Sequence, residues 1–273
     1  MKYKQKLTEV IKSSKSNLVI GLDTDYDKVP ATYLRYKNPM LAFNLKIIES
    51  TYDYCAGYKI NLAFYEAAGA KGIEALEETV KAIPRNRISI CDAKRGDIGN
   101  TAELYAKAYF DNLHFDSITL SPYMGYDSIS PFLERKDKLV YILIRTSNSG
   151  AEDFQTLKVG NKELHEVIAN KSLEWSKNQT GFVIGANRLK DIKKYSSAIE
   201  KIPLLIPGIG AQGNDLRDLI NNLHNKLFLI NASRSIIFAG DVNETQTTYM
   251  PKVVAAAKEL NDRINLFKKQ FRV

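Results

Sequence analysis

Ile88-Ser89-Ile90-Cys91-Asp92-Ala93-Lys94-Arg95-Gly96-Asp97-Ile98-Gly99-Asn100-Thr101 begins as an apolar run, turns abruptly to charge, and continues into residues that suit a helix. Side chains alternate faces along a strand, so Asp92 and Lys94 project to the same side at its carboxyl end. Carboxylates flanking a lysine there form a charged site that can move a proton and repel a negative substrate group. Strand, charged end and helix together make one β/α unit, and the rest of the chain repeats the theme.

Short apolar runs rich in β-branched residues recur at 18–23, 57–61, 88–92, 117–121, 139–146, 181–186, 204–208 and 227–232. Helix-compatible segments lie at 40–55, 62–83, 98–112, 125–134, 162–177, 188–198, 213–223 and 247–263. Such alternation predicts parallel strands joined by crossover helices. Eight units in 273 residues predict an α/β fold of the closed (β/α)8 TIM-barrel type, with an open doubly wound sheet as the alternative. No linker rich in Pro, Gly or Ser divides the chain, so residues 1–273 read as a single catalytic domain. The longest connection without a helical pattern, 147–161, follows the fifth strand. Its length fits a lid or binding loop and fits a tolerated surface insertion equally well.

Hydrophobic residues make up 44% of the chain, enough for a large core, and the 26% of charged residues is ordinary for a soluble protein. The two cysteines, Cys55 and Cys91, form no repeated spacing. A disulfide framework or a zinc motif is therefore not expected, and a reducing cytoplasm is. The opening MKYKQKLTEVIKSSKSN is basic and amphipathic, and neither a signal peptide nor a membrane span is read anywhere. The net charge of +8 comes from lysines spread along the whole sequence. That distribution points to a solvated surface plus a site for a small anion rather than to nucleic acid.

Barrel sites are built from the carboxyl ends of strands and the loops after them, and here those positions are polar. The first strand ends at Asp23. The second ends at Lys59 and Asn61, two apart and so on one face. The third supplies Asp92 and Lys94, the fifth runs into Arg145-Thr146-Ser147-Asn148, and the eighth ends Asn231-Ala232-Ser233-Arg234. Each residue has a plain structural reading too. Asp23 can cap a turn, Asp97 can cap a helix, Lys59 can snorkel, and Arg234 can be half of a salt bridge. Their shared position at one rim favours a site.

After the seventh strand comes Pro207-Gly208-Ile209-Gly210-Ala211-Gln212-Gly213. Glycines let backbone N–H groups approach an anion, and a following helix adds a favourable dipole. Barrels often bind phosphate after strands seven and eight. Arg234 has the fork geometry to clamp one, and Gln212 can add a neutral donor. At the other end, Lys59, Asp92 and Lys94 become neighbours across adjacent strands. Carboxylates keep such lysines protonated, which makes Lys94 a poor Schiff-base nucleophile and a usable general acid. A substrate carboxylate beside the acids would be repelled, and loss of carbon dioxide would relieve that repulsion and leave a carbanion for Lys94 to protonate. His114, His165 and His224 read as surface or partly buried residues outside this chemistry, and Trp175 and the tyrosines read as packing residues.

These residues give the chain a family likeness. Asp92-Ala93-Lys94-Arg95-Gly96-Asp97-Ile98-Gly99-Asn100-Thr101 resembles the signature of the orotidine 5′-phosphate decarboxylase family, most similar to its longer bacterial and protist type. Gly21-Leu22-Asp23, Tyr58-Lys59-Ile60-Asn61, Ser121 to Asp127, Arg145 to Asn148, Pro207 to Gln212 and Ser233-Arg234 support the match over nearly the whole chain. The resemblance implies a homodimeric barrel that converts orotidine monophosphate to uridine monophosphate with no metal and no organic cofactor. It implies that Lys94 protonates C6 of the pyrimidine, that Asp92 sits against the departing carboxylate, and that Lys59 holds the charged array. Asp97, Ile98 and Thr101 would reach into the partner subunit's site. Asp23 and Asn61 would contact the ribose, Thr146 and Ser147 would face the pyrimidine, and Pro207 would line its pocket. Gln212 and Arg234 would grip the phosphate, with Ser233 standing where many members have glycine.

The rival readings are a magnesium-dependent sugar-phosphate decarboxylase or hexulose-phosphate synthase with the same Asp-x-Lys-x-x-Asp, a Schiff-base aldolase, and an RNA-binding or scaffold protein. The residues around Lys59, Arg145–Asn148 and Gln212 argue against the first. Acidic neighbours of the lysines argue against the second, and the dispersed charge argues against the third. The expected partners are therefore a small-molecule substrate and a second copy of the chain, with no nucleic acid and no membrane.

Overall fold

A computed structural model describes residues 1–198, 201–209, 216–271 and 273. Parallel strands β1 (Leu18–Gly21), β2 (Gly57–Asn61), β3 (Ile88–Arg95), β4 (Ser117–Leu120), β5 (Leu139–Arg145), β6 (Thr180–Ile184), β7 (Leu204–Pro207) and β8 (Phe228–Ala232) close into a barrel in chain order. The seam is shut by β1 against β8, with Val19 opposite Asn231, which decides for the barrel and against the open sheet.

Strand alternation sorts the apolar residues into two cores. Ile20, Tyr58, Cys91, Ile118, Ile142, Phe182, Ile206 and Ile230 face outward and pack against the helices. Val19, Ile90, Tyr141, Val183, Leu205 and Leu229 form the second cluster, which Tyr3, Leu7 and Val10 join from the helix Tyr3–Ser14. Fully burying such a side chain contributes roughly 1.5–3 kcal/mol. The basic amphipathic opening is thus a plug: its apolar face seals the amino end of the barrel, and the Tyr3 hydroxyl bonds that of Tyr141 at 3.0 Å. What is left open is the carboxyl end.

Several element boundaries differ from expectation. β1 stops at Gly21, so Asp23 lies just past the strand, held there because the backbone N–H of Leu22 donates to the Lys59 carbonyl. The helix expected over 62–83 is two, Leu62–Ala67 and Gly69–Ala82, broken at Gly69. Gly69 has φ +60 in open space, so it is there for its conformation. The segment 125–134 holds only single turns, Tyr126–Ser128 and Ser130–Leu133, while the last helix runs on to Phe271. The connection after β5 has structure of its own: a 3-10 turn, Ser149–Asp153, and a hairpin of Lys158–Val159 with Lys162–Glu163. Cys55 and Cys91 are buried free thiols. Among the described residues no helix is long and apolar enough to cross a membrane.

Candidate active site

A cavity of about 390 Å³ opens at the carboxyl end of the barrel. Asp23, Lys59, Asn61, Asp92, Lys94, Thr146, Ser147, Pro207, Ser233 and Arg234 all line it. The inward positions below the polar rim are apolar: Leu143, Val183 and Leu205.

The charged centre spans three strands. Asp92 lies inward on β3 at 8% exposure, and Lys59 lies inward on β2 at 3%. Lys59 Nζ donates to Asp92 Oδ2 at 2.8 Å and to Asp23 Oδ1 at 3.3 Å. Lys94 Nζ donates to Asp92 Oδ1 at 2.6 Å. Burial by itself would raise the Asp92 carboxyl, but the Lys59 and Lys94 ammoniums outweigh it and hold it well below the usual carboxylate range. Burial likewise pulls the Lys59 ammonium down, and Asp92 and Asp23 more than reverse that, so it stays charged. Asp92 and Lys59 therefore form an ionised pair at neutral pH, sealed on the Lys59 side and wet on the other, where the Lys94 side chain is 50% exposed.

Local backbone geometry aims Lys94. β3 keeps simple register with β4 up to Cys91 opposite Ile118, then shifts before Arg95 meets Leu120. Within that irregularity Lys94 takes φ +50, a left-handed angle that costs a lysine about 1 kcal/mol. Bulged strands re-aim side chains in this way. Thr119 pins the kink: its hydroxyl accepts from the Lys94 backbone N–H and donates to Asp92 Oδ1, both at 3.0 Å. The sequence reading missed Thr119, although it is an inward polar position, two residues on from Ser117, and falls beside Asp92 in the expected register.

The phosphate side is partly described. Gln212 lies outside the described residues. Gly208 carries φ +101 in the turn after β7, and Arg234, exposed on the rim after β8, has no ion pair among the described residues. Ser233 donates from its hydroxyl to the Gly21 carbonyl at 3.0 Å. A Cβ on Gly21 would come within 2.7 Å of the Ser233 Cβ, so the close β1–β8 approach depends on that glycine. Asn231 faces the cavity with its Oδ1 buried and without a partner among the described residues.

Other expected residues fall elsewhere. Asp97, Ile98 and Thr101 do not line the cavity of this chain. Asp97 Oδ1 takes the N–H of Ile98 at 2.8 Å, yet the residue before the helix Gly99–Ala106 is Ile98, so Asp97 is not its cap. Arg145 is buried in a structural cluster, bonded to Glu152 at 2.8 Å and to Asp191 at 3.3 Å. His165 is fully buried rather than partly so, between the Tyr195 hydroxyl and Glu163, each at 2.8 Å. Among the described residues no group of three or more His, Cys, Asp or Glu could hold a metal ion.

The sequence profile of the orotidine 5′-phosphate decarboxylase / HUMPS family matches residues 16–249. The chain belongs to this family. An orotidine 5′-phosphate decarboxylase of Dehalococcoides mccartyi is 47% identical over 99% of this chain and 100% of its own length. One from Bacteroides fragilis is 43% identical over 96% of each chain. The solved Leishmania donovani OMP decarboxylase superposes with a TM-score of 0.83 at 35% identity, covering 98% of this chain and 99% of that one.

Proposed function

We propose that this protein is an orotidine 5′-phosphate decarboxylase, a carboxy-lyase that converts orotidine monophosphate to uridine monophosphate and carbon dioxide in pyrimidine biosynthesis. The observation that carries the reading is Asp92, a buried, ionised carboxylate clamped between Lys59 and Lys94 at the cavity wall. With the base seated so that its carboxylate meets Asp92, like charges repel in the bound acid. The bond from C6 to the carboxylate breaks, carbon dioxide leaves, and the electron pair stays on C6. Lys94 Nζ then gives C6 its proton. The array is complementary to the carbanionic transition state more than to the substrate, and its dipoles are fixed before the reaction starts.

In this reading Asp23 and Asn61 hold the ribose, Thr146 and Ser147 meet the pyrimidine with Pro207 against it, and Arg234 and Ser233 at the cavity rim take the phosphate, with Gln212, outside the described residues, expected to join them. The outward setting of Asp97, Ile98 and Thr101 supports a homodimer in which these residues complete the partner's site. The surface around them favours association: Ile98, Leu104, Met124 and Tyr126 are exposed, and Tyr123 is 86% exposed. We read residues 1–273 as a single catalytic domain working in the cytoplasm, where the two free thiols persist.

The reaction as proposed calls on neither metal nor organic cofactor. Orotidine monophosphate should be consumed, with the accompanying ultraviolet absorbance change, at the same rate with and without excess chelator. Absence of turnover would reject the assignment, and turnover abolished by chelator would return the reading to the magnesium-dependent branch.

A further inference from the structure

Gln155 sits on the connection after β5, outside the cavity, yet its side chain grips a residue that lines it. Gln155 Oε1 accepts from the backbone N–H of Thr146, and Nε2 donates to Thr146 Oγ1, each at 2.8 Å. The Thr146 hydroxyl in turn donates to Asn148 Oδ1 at 2.7 Å. Gln155 is itself held by its main chain, donating to Ala151 at 2.9 Å and accepting from the N–H of His165 at 3.0 Å.

The polarity of this relay is forced. A backbone N–H can only donate, so the amide oxygen of Gln155 faces Thr146 and its nitrogen faces the hydroxyl. Having accepted, the hydroxyl directs its proton to Asn148. The amide nitrogen of Asn148 is then the group left to act, and it is a donor. Ser147, between them, makes no side-chain hydrogen bond among the described residues, so its hydroxyl can accept or donate. All three residues line the cavity. The path of the turn is fixed separately: Arg188 Nε donates to the Thr146 carbonyl at 3.1 Å and Asn187 to the Ser147 carbonyl at 3.0 Å. What Gln155 adds is the direction of the hydrogen bonds.

We propose that Gln155 is a positioning residue that sets the hydrogen-bond polarity of the turn Thr146–Ser147–Asn148 and thereby selects a pyrimidine with a uracil-type imide edge over one with a cytosine-type edge. The inference rests on the decarboxylase reading. An imide edge is carbonyl, N–H, carbonyl: a carbonyl takes the Asn148 donor while the ring N–H gives to a hydroxyl. A cytosine-type edge replaces one carbonyl by an amine, which sets donor against donor and leaves both unpaired, and polar sites reject ligands on that ground.

The test is Gln155→Glu, which keeps the shape and the acceptor toward the Thr146 N–H but has no donor. The Thr146 hydroxyl then gives its proton to the carboxylate, and the Asn148 amide is released to turn over. Uridine and cytidine monophosphate are measured as competing inhibitors of orotidine monophosphate turnover. Wild type should prefer the uridine nucleotide, and Gln155→Glu should lose roughly tenfold of that preference, with cytidine monophosphate gaining affinity. Thr146→Val should lose a similar factor and add nothing in the double variant, as one relay requires. An unchanged preference in Gln155→Glu overturns the inference, however much total activity falls. If that variant does not fold, an unchanged preference in Thr146→Val overturns it instead. Failure of wild type to process orotidine monophosphate would reject the functional reading itself, an outcome separate from either.

Discussion

Replacing Lys59 with methionine asks how much of this barrel's stability hangs on its chemistry. The side chain is almost entirely buried, and methionine preserves its length and volume, so packing changes little. The electrostatic change is large. Asp23 loses the Lys59 ion pair and Asp92 retains only Lys94. Removing one partner of a buried ion pair destabilises by about 3–5 kcal/mol. We take about 3 kcal/mol, because Asp23 and Lys94 reach solvent. With an unfolding entropy of roughly 2.1 cal/mol/K per residue over 273 residues, each kcal/mol is about 2 °C, giving a fall near 5 °C.

The pH dependence is the sharper readout. In wild type the folded Asp92 carboxyl is depressed, so its contribution is present above its ordinary value of 3.8 and is lost as pH falls through the folded one. Lys59 is raised, so its contribution is present below its ordinary value of 10.5 and lost only as pH rises through the folded one. Between these limits wild type is insensitive to this array. In Lys59→Met only Lys94 opposes the burial of Asp92, so its folded value rises and the variant regains stability relative to wild type as protons bind. The gap between the two proteins, followed by calorimetry, should narrow from about pH 8 to about pH 5. An equal gap at both ends, or a variant as stable as wild type at the alkaline end, would refute the reasoning.

Lys94→Ala should lower turnover by about a thousandfold or more while leaving the melting temperature within a few degrees, since general-acid groups contribute on that scale and this side chain is half exposed; steady-state kinetics at wild-type rates would remove Lys94 from the proton transfer. Arg234→Ala should raise KM roughly tenfold to hundredfold and slow kcat as well, while the slow reaction of unphosphorylated orotidine stays unchanged; equal losses on both substrates would break the link to phosphate. Mixing inactive Lys94→Ala and Asp97→Ala chains should restore about a quarter of wild-type activity, because half the dimers are hybrids with one intact site; verified hybrids without activity would count against a shared site.

The strand alternation made the barrel legible, because each parallel strand is buried on both faces and so reads as a short apolar run. The residues lining the cavity were legible for the opposite reason: Asp23, Lys59, Asp92 and Lys94 interrupt those runs at their carboxyl ends. Bonds between distant residues were not. Nothing in the local sequence of Gln155 links it to Thr146, and nothing around Arg145 separates a buried anchor for Glu152 and Asp191 from a rim cation. The same blindness applied to His165, whose burial comes from packing against Tyr195 thirty residues on. The plug role of Tyr3–Ser14 was also hidden, because an amphipathic helix does not say which surface receives its apolar face.

The kink at Lys94 has a consequence for engineering. A backbone at φ +50 is adopted with less strain by glycine or asparagine, so relief of backbone strain alone would favour exchanging the lysine for one of them. Each exchange would discard the amine that the proposed chemistry needs. Optimising durability and optimising turnover pull this codon in opposite directions, and a sturdier version of the barrel has to be sought at other positions.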